Sequence, residues 1–201
     1  MKTLVFDEAE HRYTVDGVVV PSVTTVLSAV GIPDLSFVNK EVLKASAEFG
    51  TAAHLACELY DKGELDEDAL DPALRPILDQ WIVLSNEMCA GMTEVLIEKR
   101  LYSKQCGFAG TLDRAYFNEL KKALIIVDIK TGEHTPSAGP QTAAYAQLVS
   151  EVYGIKFRNV KRYTAHLLHG KEFGKLVPYT DPADWPVFLS ALNIYKYKNK
   201  R

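Results

Sequence analysis

Residues 123–132 read ALIIVDIKTG, and this stretch decides the fold of the 201-residue chain. Its apolar run is interrupted only by Asp128, which predicts a strand buried on both faces of a sheet. Asp128 and Lys130 lie two positions apart, so their side chains share one face of that strand. A carboxylate at the end of a buried strand is costly unless it is paired or bound to a metal. The stretch therefore predicts a central strand with a charged site at its end.

Two further strands are predicted before this one. TEVLIEKRLYS (residues 93–103) alternates like a strand, GFAGTLDRAYF (residues 107–117) follows, and residues 118–122 form the next turn. Asp113 stands near the end of the middle strand, where strand pairing would bring it beside Asp128. Two carboxylates at one point repel each other unless a cation neutralises them, and hard oxygen ligands favour Mg²⁺ or Mn²⁺. We therefore expect a divalent metal site between these strands.

The rest of the chain supplies a hairpin, helices and closing strands. HRYTVDGVVVPSV (residues 11–23) predicts a hairpin that turns at Asp16-Gly17. The later predicted elements are a short helix between Ser22 and Gly31, helices over about 37–60, 72–90 and 139–153, strands over 160–168 and 175–180, and a last helix from Asp181 or Asp184 into a basic tail. This order predicts an α/β or α+β fold with a central mixed β-sheet flanked by helices.

The length and composition fit a single domain spanning residues 1–201. Its expected parts are an N-terminal hairpin and short helix (1–31), a helical segment (37–90), a catalytic core (93–169), and a closing strand, helix and basic tail (170–201). No apolar run reaches the ~18–20 residues needed to span a membrane, and the N-terminal sequence lacks the apolar region of a secretory signal. We therefore expect a cytoplasmic protein that does not bind membranes.

Several features have ordinary explanations. The three cysteines are Cys57, Cys89 and Cys106, and their spacing predicts reduced core thiols and no iron–sulfur cluster. Residues 58–71 hold seven acidic side chains and one lysine, which is typical of a solvated loop or helix end. Four aromatic residues are expected in the core, although they could stack on bases: Trp81, Tyr102, Phe108 and Tyr116.

Other residues admit a functional role beside an ordinary one. His54 and Glu58 lie four apart on one face of a predicted helix, but the HExxH motif of metalloproteases is absent. Gly50 would let the same helix pack closely against a strand or a DNA backbone. Glu98 lies in an alternating segment, so it either faces the site or forms a salt bridge with a neighbouring Arg or Lys.

Five short motifs resemble the RecB-type branch of the PD-(D/E)XK nuclease superfamily. They are GTAAH (50–54), the acid of IE (97–98), GTLD (110–113), DIKTG (128–132) and QTAAY (141–145). That branch carries a G-x-x-x-H helix, a G-x-x-D strand, a D-x-K strand and a Q-x-x-x-Y helix in this order. The opening residues 11–27 are also similar to the start of phage and mitochondrial genome-maintenance exonucleases, and the resemblance spans almost the whole chain.

The resemblance implies a restriction-endonuclease-like nuclease core and gives roles to the motif residues. The implied Mg²⁺ (or Mn²⁺) ligands are Asp113, Asp128, the backbone carbonyl of Ile129, His54, and Glu98, which would bind the metal or hold a metal-bound water. Lys130 would be the catalytic lysine. The residues implied to brace the site or contact DNA are Gly50, Thr131, Gln141 and Tyr145. Thr131 and Gly132 would also shape the loop near the scissile phosphate. Relatives with a four-cysteine iron–sulfur cluster are a different subgroup, since no cysteine follows Cys106.

The implied activity is that of a metal-dependent deoxyribonuclease, most simply an exonuclease that acts on linear or single-stranded DNA. The implied setting is recombination, repair or phage DNA processing in a bacterial or phage-infected cell, alongside a single-strand annealing or binding protein. Two alternatives stay open: a catalytically silent DNA-binding or assembly module with a nuclease fold, and a structure-specific endonuclease.

The net charge of −3 taken alone argues against a nucleic-acid partner. The charge is unevenly distributed, because residues 1–155 hold 13 basic and 23 acidic side chains, whereas residues 156–201 hold 10 and 3. We expect the acidic run at 58–71 to face away from DNA and the basic part to contact phosphates. The residues expected to do so are Lys161, Arg162 and the tail from Lys196 through Lys198 to Arg201.

Overall fold

A computed structural model describes residues 3–34, 36–118, 120, 123–132 and 135–200. Within these ranges the chain forms two β-sheets and five α-helices. The predicted turn at residues 118–122 lies partly outside the described residues, and so does the end of the basic tail, Arg201.

The chain opens with a small antiparallel sheet of three strands. These are β1 (Leu4–Asp7), β2 (Arg12–Val15) and β3 (Val18–Val20). Asp16 and Gly17 join β2 to β3 with positive φ angles of 51° and 79°, as a two-residue hairpin turn of the primed type requires. The predicted hairpin is confirmed, and β1 is an additional strand that the sequence pattern did not predict.

The central sheet has five strands in the order β4-β5-β6-β7-β8. Their bounds are β4 Glu94–Ser103, β5 Phe108–Asn118, β6 Ala123–Lys130, β7 Val160–His166 and β8 Lys175–Pro178. β6 and β7 are parallel and the other neighbours are antiparallel, which confirms the predicted mixed sheet. A parallel pair requires a crossover connection, and helix α4 (Ala138–Tyr153) lies in the connection between β6 and β7.

Helices cover both faces of the central sheet. On one face, α1 (Val23–Ser28), α4 and α5 (Asp184–Lys198) share one hydrophobic cluster, and on the other face α2 (Lys40–Lys62) and α3 (Arg75–Cys89) share a second. Ser22 caps α1, as predicted, by accepting a hydrogen bond from the Thr25 amide at 3.0 Å. The layers confirm the predicted fold class, a mixed sheet flanked by helices.

Strand β6, which contains the ALIIVDI sequence, is buried on both faces as predicted. Leu124 and Ile126 belong to the cluster under α4 and α5, whereas Val127 and Ile129 belong to the cluster under α2 and α3. All four residues are only 1–2% exposed. Because side chains alternate along a strand, Asp128 shares the α4 face with Ile126.

The small sheet is fastened to β5. The amide of Ala109 donates a hydrogen bond to the carbonyl of Pro21 at 2.9 Å, and the hydroxyls of Tyr13 and Thr111 are 2.5 Å apart. Thr111 precedes Asp113 by two residues. The small sheet therefore stands beside the strand that carries one of the candidate site residues.

The expectation for the cysteines is only partly correct. Cys57 is buried, but Cys89 is exposed, because it is the last residue of α3 and its neighbour Met88 takes the core-facing position. The aromatic residues Trp81, Phe108 and Tyr116 are at most 1% exposed and belong to the core, as expected, whereas Tyr102 is only half-buried. Across the described ranges, none of the helices combines the length and apolarity needed to cross a membrane.

Candidate active site

Glu98 and Asp113 stand opposite each other on β4 and β5. The residues on either side of them, Ile97 with Arg114 and Lys99 with Leu112, pair in the same antiparallel register, which is interrupted only at Glu98 and Asp113. Glu98 has a positive φ of 46°, which costs roughly 1–3 kcal/mol in a residue with a side chain. Leu96 and Leu101 pack in the same core although they are five residues apart, so the alternation of β4 reverses between them. This local distortion accompanies the placement of Glu98 toward Asp113.

His54, Glu98 and Asp113 form a cluster of potential metal ligands. Each offers one ligand atom, and the three atoms lie within 4.8 Å of one another. Two carboxylates at this separation in a partly buried site are unfavourable unless a cation lies nearby. Carboxylate oxygens are the donors that Mg²⁺ and Mn²⁺ prefer, and imidazole is a common companion ligand. The residues therefore fit a divalent ion.

The backbone of Ile129 lies between His54 and Asp113. Nε2 of His54 is 2.9 Å from the carbonyl oxygen of Ile129, and the Ile129 amide donates to Oδ2 of Asp113 at 2.6 Å. Nδ1 of His54 lies 3.6 Å from the same Oδ2. If Nε2 donates its proton to the carbonyl, a neutral ring directs an unprotonated Nδ1 at a carboxylate. A proton or a metal ion at this point would relieve the repulsion.

Asp128 and Lys130 are joined through Gln141 of α4. Nε2 of Gln141 donates to Oδ1 of Asp128 at 3.0 Å, and Nζ of Lys130 donates to Oε1 of Gln141 at 3.1 Å. Nζ also lies 2.7 Å from Oδ2 of Asp128, but this ion pair is poorly aligned for hydrogen bonding, and the buried Oδ2 has no aligned donor. The Tyr145 hydroxyl accepts a long 3.4 Å hydrogen bond from Gln141. The four predicted residues therefore meet at one point beside the ligand cluster.

Lys130 stays positively charged beside Asp128. Burial raises the pKa of Asp128, although the nearby ammonium group opposes this change. Burial lowers the pKa of Lys130, but the carboxylate beside it outweighs burial and raises the pKa overall. A lysine that stays protonated at neutral pH cannot accept a proton from water. Lys130 is therefore suited to orient and stabilise negative groups.

Arg114 is a buried cation that the sequence analysis did not single out. Its fully buried side chain donates Nε–H to Asp61 at 2.6 Å, and Nη1–H to Glu98 at 3.2 Å and to the Asp113 carbonyl at 2.6 Å. The guanidinium also lies 5.4 Å from the centre of the Trp81 ring. The available signal was an arginine directly after Asp113 in a strand rich in apolar residues, because a buried charge needs a partner.

The acidic run at 58–71 does not face solvent throughout, contrary to expectation. Asp61 is 13% exposed and pairs with Arg114, and Glu58 lines the candidate site. The acidic residues from Glu64 onward are exposed. The difference arises because the first part of the run forms the end of α2, which packs against the central sheet.

One cleft of about 570 Å³ joins these groups to the small sheet. Its volume lies within the usual range for small-molecule sites, about 300–1,000 Å³. The candidate catalytic and metal-binding side chains on its lining are His54, Glu98, Asp113, Asp128, Lys130 and Gln141, and residues from β1, β2 and the turn between them line it as well. The predicted residues therefore open onto one shared space.

Gly50 allows α2 to approach the loop after β6. A Cβ built at Gly50 would lie 3.3 Å from Oγ1 of Thr131, which is closer than ordinary packing. Of the two explanations for this glycine, close packing against the protein is therefore the one that the contact supports. His54 follows one turn later on the same helix, so this approach also sets its distance from β6.

The predicted DNA contact at Arg162 is wrong. Its side chain is 6% exposed and forms an ion pair with Asp184 at 2.9 Å. It also donates to the carbonyls of Gly139 and Asp181, each at 3.1 Å. The guanidinium is used to tie β7 to the starts of α4 and α5, and it is not available to a phosphate.

The other predicted DNA contacts lie at the surface. Lys161, Lys196 and Lys198 are exposed. Lys161 pairs with Ile125 in the parallel register, so it lies on the sheet face opposite Asp128. Lys196 donates to the carbonyl of Cys106 in the turn between β4 and β5. Contact between these lysines and DNA stays a prediction.

Replacing Glu98 with glutamine should remove a pH-dependent loss of stability. Burial, reinforced by the Asp113 charge, raises the pKa of Glu98 from 4.5 to about 8. The folded protein therefore binds a proton that the unfolded chain releases, and stability falls as the pH rises from about 4.5 to about 8. We expect Glu98→Gln to raise the free energy of unfolding at pH 9 by on the order of 1–3 kcal/mol, with little change at pH 4.

Urea unfolding of both metal-free proteins at several pH values measures this effect. Glu94→Gln is the matched control, because Glu94 lies on the same strand and is exposed. Parallel pH profiles for wild type and Glu98→Gln would contradict the assigned environment of Glu98.

Comparison with known families supports a nuclease. The sequence profile of the PD-(D/E)XK nuclease superfamily matches residues 27–175, about three quarters of the chain. This match does not distinguish the RecB-type branch, which stays a prediction. No curated protein matches the chain in sequence.

Two solved structures are similar to the chain. One is a protein from Eubacterium rectale named as a candidate exonuclease, with a TM-score of 0.48 and 12% identity. That alignment covers 75% of this chain and 64% of the other, so this chain spans just under two thirds of the other protein's length. The second, the protein SSO0001, has a TM-score of 0.37 and 14% identity over 89% of this chain and 84% of the other.

Proposed function

The chain belongs to the PD-(D/E)XK nuclease superfamily, and we propose that it is a Mg²⁺- or Mn²⁺-dependent deoxyribonuclease that degrades linear DNA from its ends. The observation that supports this most is the meeting of His54, Glu98 and Asp113 within 4.8 Å, beside the Asp128–Lys130 pair. A divalent-ion site next to a fixed ammonium group suits phosphodiester hydrolysis. The setting we propose is recombination, repair or phage DNA processing.

Five groups are proposed to hold the metal: His54, Glu98, Asp113, Asp128 and the carbonyl of Ile129. A divalent ion held there would supply Lewis-acid stabilisation of the charge that develops on the scissile phosphate. For His54 we assign Nδ1 as the ligand atom, because Nε2 already lies 2.9 Å from the Ile129 carbonyl. Arg114 keeps Glu98 in place and offsets part of the acidic charge.

Lys130 is proposed to orient the attacking water and to offset charge on the phosphate. Its ammonium group lies within 3.1 Å of both Asp128 and Gln141, so two partners restrict its position. Because the raised pKa keeps it charged, Lys130 serves as a cation and not as the base. Gln141 is proposed to brace the site through its hydrogen bonds to Asp128 and Lys130. Its amide also donates to the Tyr145 hydroxyl.

The test compares a linear duplex with the same DNA as a covalently closed circle. We expect the purified protein to degrade the linear form with Mg²⁺ or Mn²⁺, to spare the circle, and to lose activity to the background rate when EDTA removes the metal. Asp113→Asn in the same assay should be inactive, whereas the exposed-surface variant Lys44→Met should behave as wild type.

The other outcomes identify the alternatives. Cleavage of the closed circle would indicate an endonuclease. Equal DNA binding with and without Mg²⁺, with no product from any substrate, would indicate a binding or assembly module. Single and double strands labelled at one end, used in the same assay, would show the end from which degradation starts.

A further inference from the structure

One wall of the cleft is aromatic and cationic. The ring centre of Phe6 on β1 lies 4.5 Å from that of Tyr13 and 5.1 Å from that of His11, which meets it edge-on. The guanidinium carbon of Arg100 on β4 lies 4.8 Å from the centre of the Phe6 ring. All four side chains line the same cleft as the proposed metal ligands.

Arg100 is held over the Phe6 ring by a second contact. Its Nη2 donates to Oε1 of Glu8 at 2.9 Å, and 45% of its side chain stays exposed. An exposed ion pair of this kind adds at most about 1 kcal/mol of stability, so its main effect is to restrict the guanidinium to a position over the Phe6 ring. The wall thus presents a planar cation supported by an aromatic ring.

The side chains of the wall differ in how exposed they are and in how firmly they are held. Tyr13 is 3% exposed and its hydroxyl is bonded to Thr111, so Tyr13 anchors the wall to β5. His11 is exposed in the turn between β1 and β2, where its φ is 46°. His11 and Arg100 are therefore the side chains exposed to the cleft, and both contact the Phe6 ring.

We propose that Phe6, His11 and Arg100 form a stacking platform for an unpaired nucleobase of the strand whose phosphate is cleaved. The proposal rests on the proposed nuclease function and narrows its substrate to single-stranded DNA or a frayed end. Bases of single strands stack on aromatic rings and arginine planes, whereas paired bases in a duplex are covered by their neighbours. Glu8 beside Arg100 would repel a phosphate at this position, which favours a neutral base.

The platform shares one space with the candidate catalytic groups. Arg100 follows Glu98 by two residues on β4, a distance of roughly 7 Å along a strand. Its partner across the sheet is Thr111, which precedes Asp113 by two residues. A nucleotide whose phosphate lies at the acidic cluster would therefore have its sugar and base within reach of the wall.

The test measures how protein variants bind DNA strands that lack a single base. Binding of short single strands is measured by fluorescence anisotropy with Ca²⁺, using an intact strand and strands with one abasic nucleotide moved along the sequence. Phe6→Leu and Arg100→Lys should each weaken binding of the intact strand about 5- to 100-fold. His11→Asn, which tolerates the positive φ, should weaken it less. When the abasic nucleotide lies at the platform there is no base to stack, so these variants should bind that strand as tightly as wild type does.

Three features of the design make the result specific. Arg100→Lys keeps the charge but loses the planar fork. Val5→Ala and Lys99→Gln are matched controls, because Val5 is an exposed neighbour of Phe6 on β1 and Lys99 an exposed neighbour of Arg100 on β4. Thermal melting of each variant confirms that the small sheet is intact.

The outcomes separate this proposal from the proposed function. Equal losses on intact and abasic strands, or wild-type binding by Arg100→Lys, would overturn the platform even if wild type degrades linear DNA. Absence of metal-dependent cleavage in wild type would overturn the nuclease function, while the abasic dependence of binding would still decide the platform.

Discussion

Replacing Lys130 with methionine is expected to lower the rate of linear DNA degradation by at least about 10²–10³-fold, because a preorganised charge at the reacting phosphate is lost. Asp128→Asn should have an effect at least as large. It removes a proposed metal ligand and also the carboxylate 2.7 Å from Nζ that keeps Lys130 charged. Single-turnover degradation of end-labelled DNA measures both losses.

The same two variants should stay folded, since both substitutions conserve side-chain volume at the cleft. Lys44→Met is the control for loss of a lysine, because Lys44 is exposed on α2 and lies outside the basic segment 156–201. Full activity in purified Lys130→Met would refute the assigned role of the Asp128–Lys130 pair.

Arg114→Met should reduce the free energy of unfolding by about 3–5 kcal/mol, as expected when one partner of a buried ion pair is removed. The change leaves Asp61 and Glu98 without their cation. The loss should be larger at pH 9 than at pH 6. Glu98, whose pKa is raised to about 8, is largely neutral at the lower pH and charged at the higher one.

Arg75→Met is the matched control, because Arg75 pairs with Glu67 and Asp79 on the exposed surface of α3. We expect that variant to change stability little. In the double variant Arg114→Met/Asp61→Asn the two losses should be less than additive, since the second change removes a charge left unpaired by the first. Urea denaturation gives the free energies of unfolding of Arg114→Met, Asp61→Asn, the double variant and Arg75→Met. Strict additivity of the two single losses would show that Arg114 and Asp61 do not share a network.

The strands and helices of the central layer were predictable because their patterns are dominated by burial. The run ALIIVDI needs apolar surroundings on both sides, and β6 has them. Asp16-Gly17 fixed the hairpin because few other dipeptides adopt two positive φ angles. The placement of Asp113 and Asp128 on neighbouring strands that line one cleft likewise followed from strand pairing.

What could not be predicted depends on contacts between distant segments. Arg162 looked available in a basic stretch, but only the packing of α4 and α5 shows that its charge is used internally. Asp61 looked like one acid in a solvated run until the fold placed it against Arg114. In both positions the residue type was compatible with exposure, and pattern alone cannot reveal a buried partner.

The fastening of the small sheet to β5 has a consequence for the order of folding. Tyr13 and Thr111, whose hydroxyls join the two sheets, are 98 residues apart in the chain. Contacts between such distant residues carry a large loop-closure entropy and form slowly compared with local ones. During synthesis the small sheet can therefore dock only after β5 has emerged, and the cleft gains this wall only after the strands that carry Glu98 and Asp113 have been made. A nascent chain would hold no complete candidate site until residues as far as Tyr145 had been made.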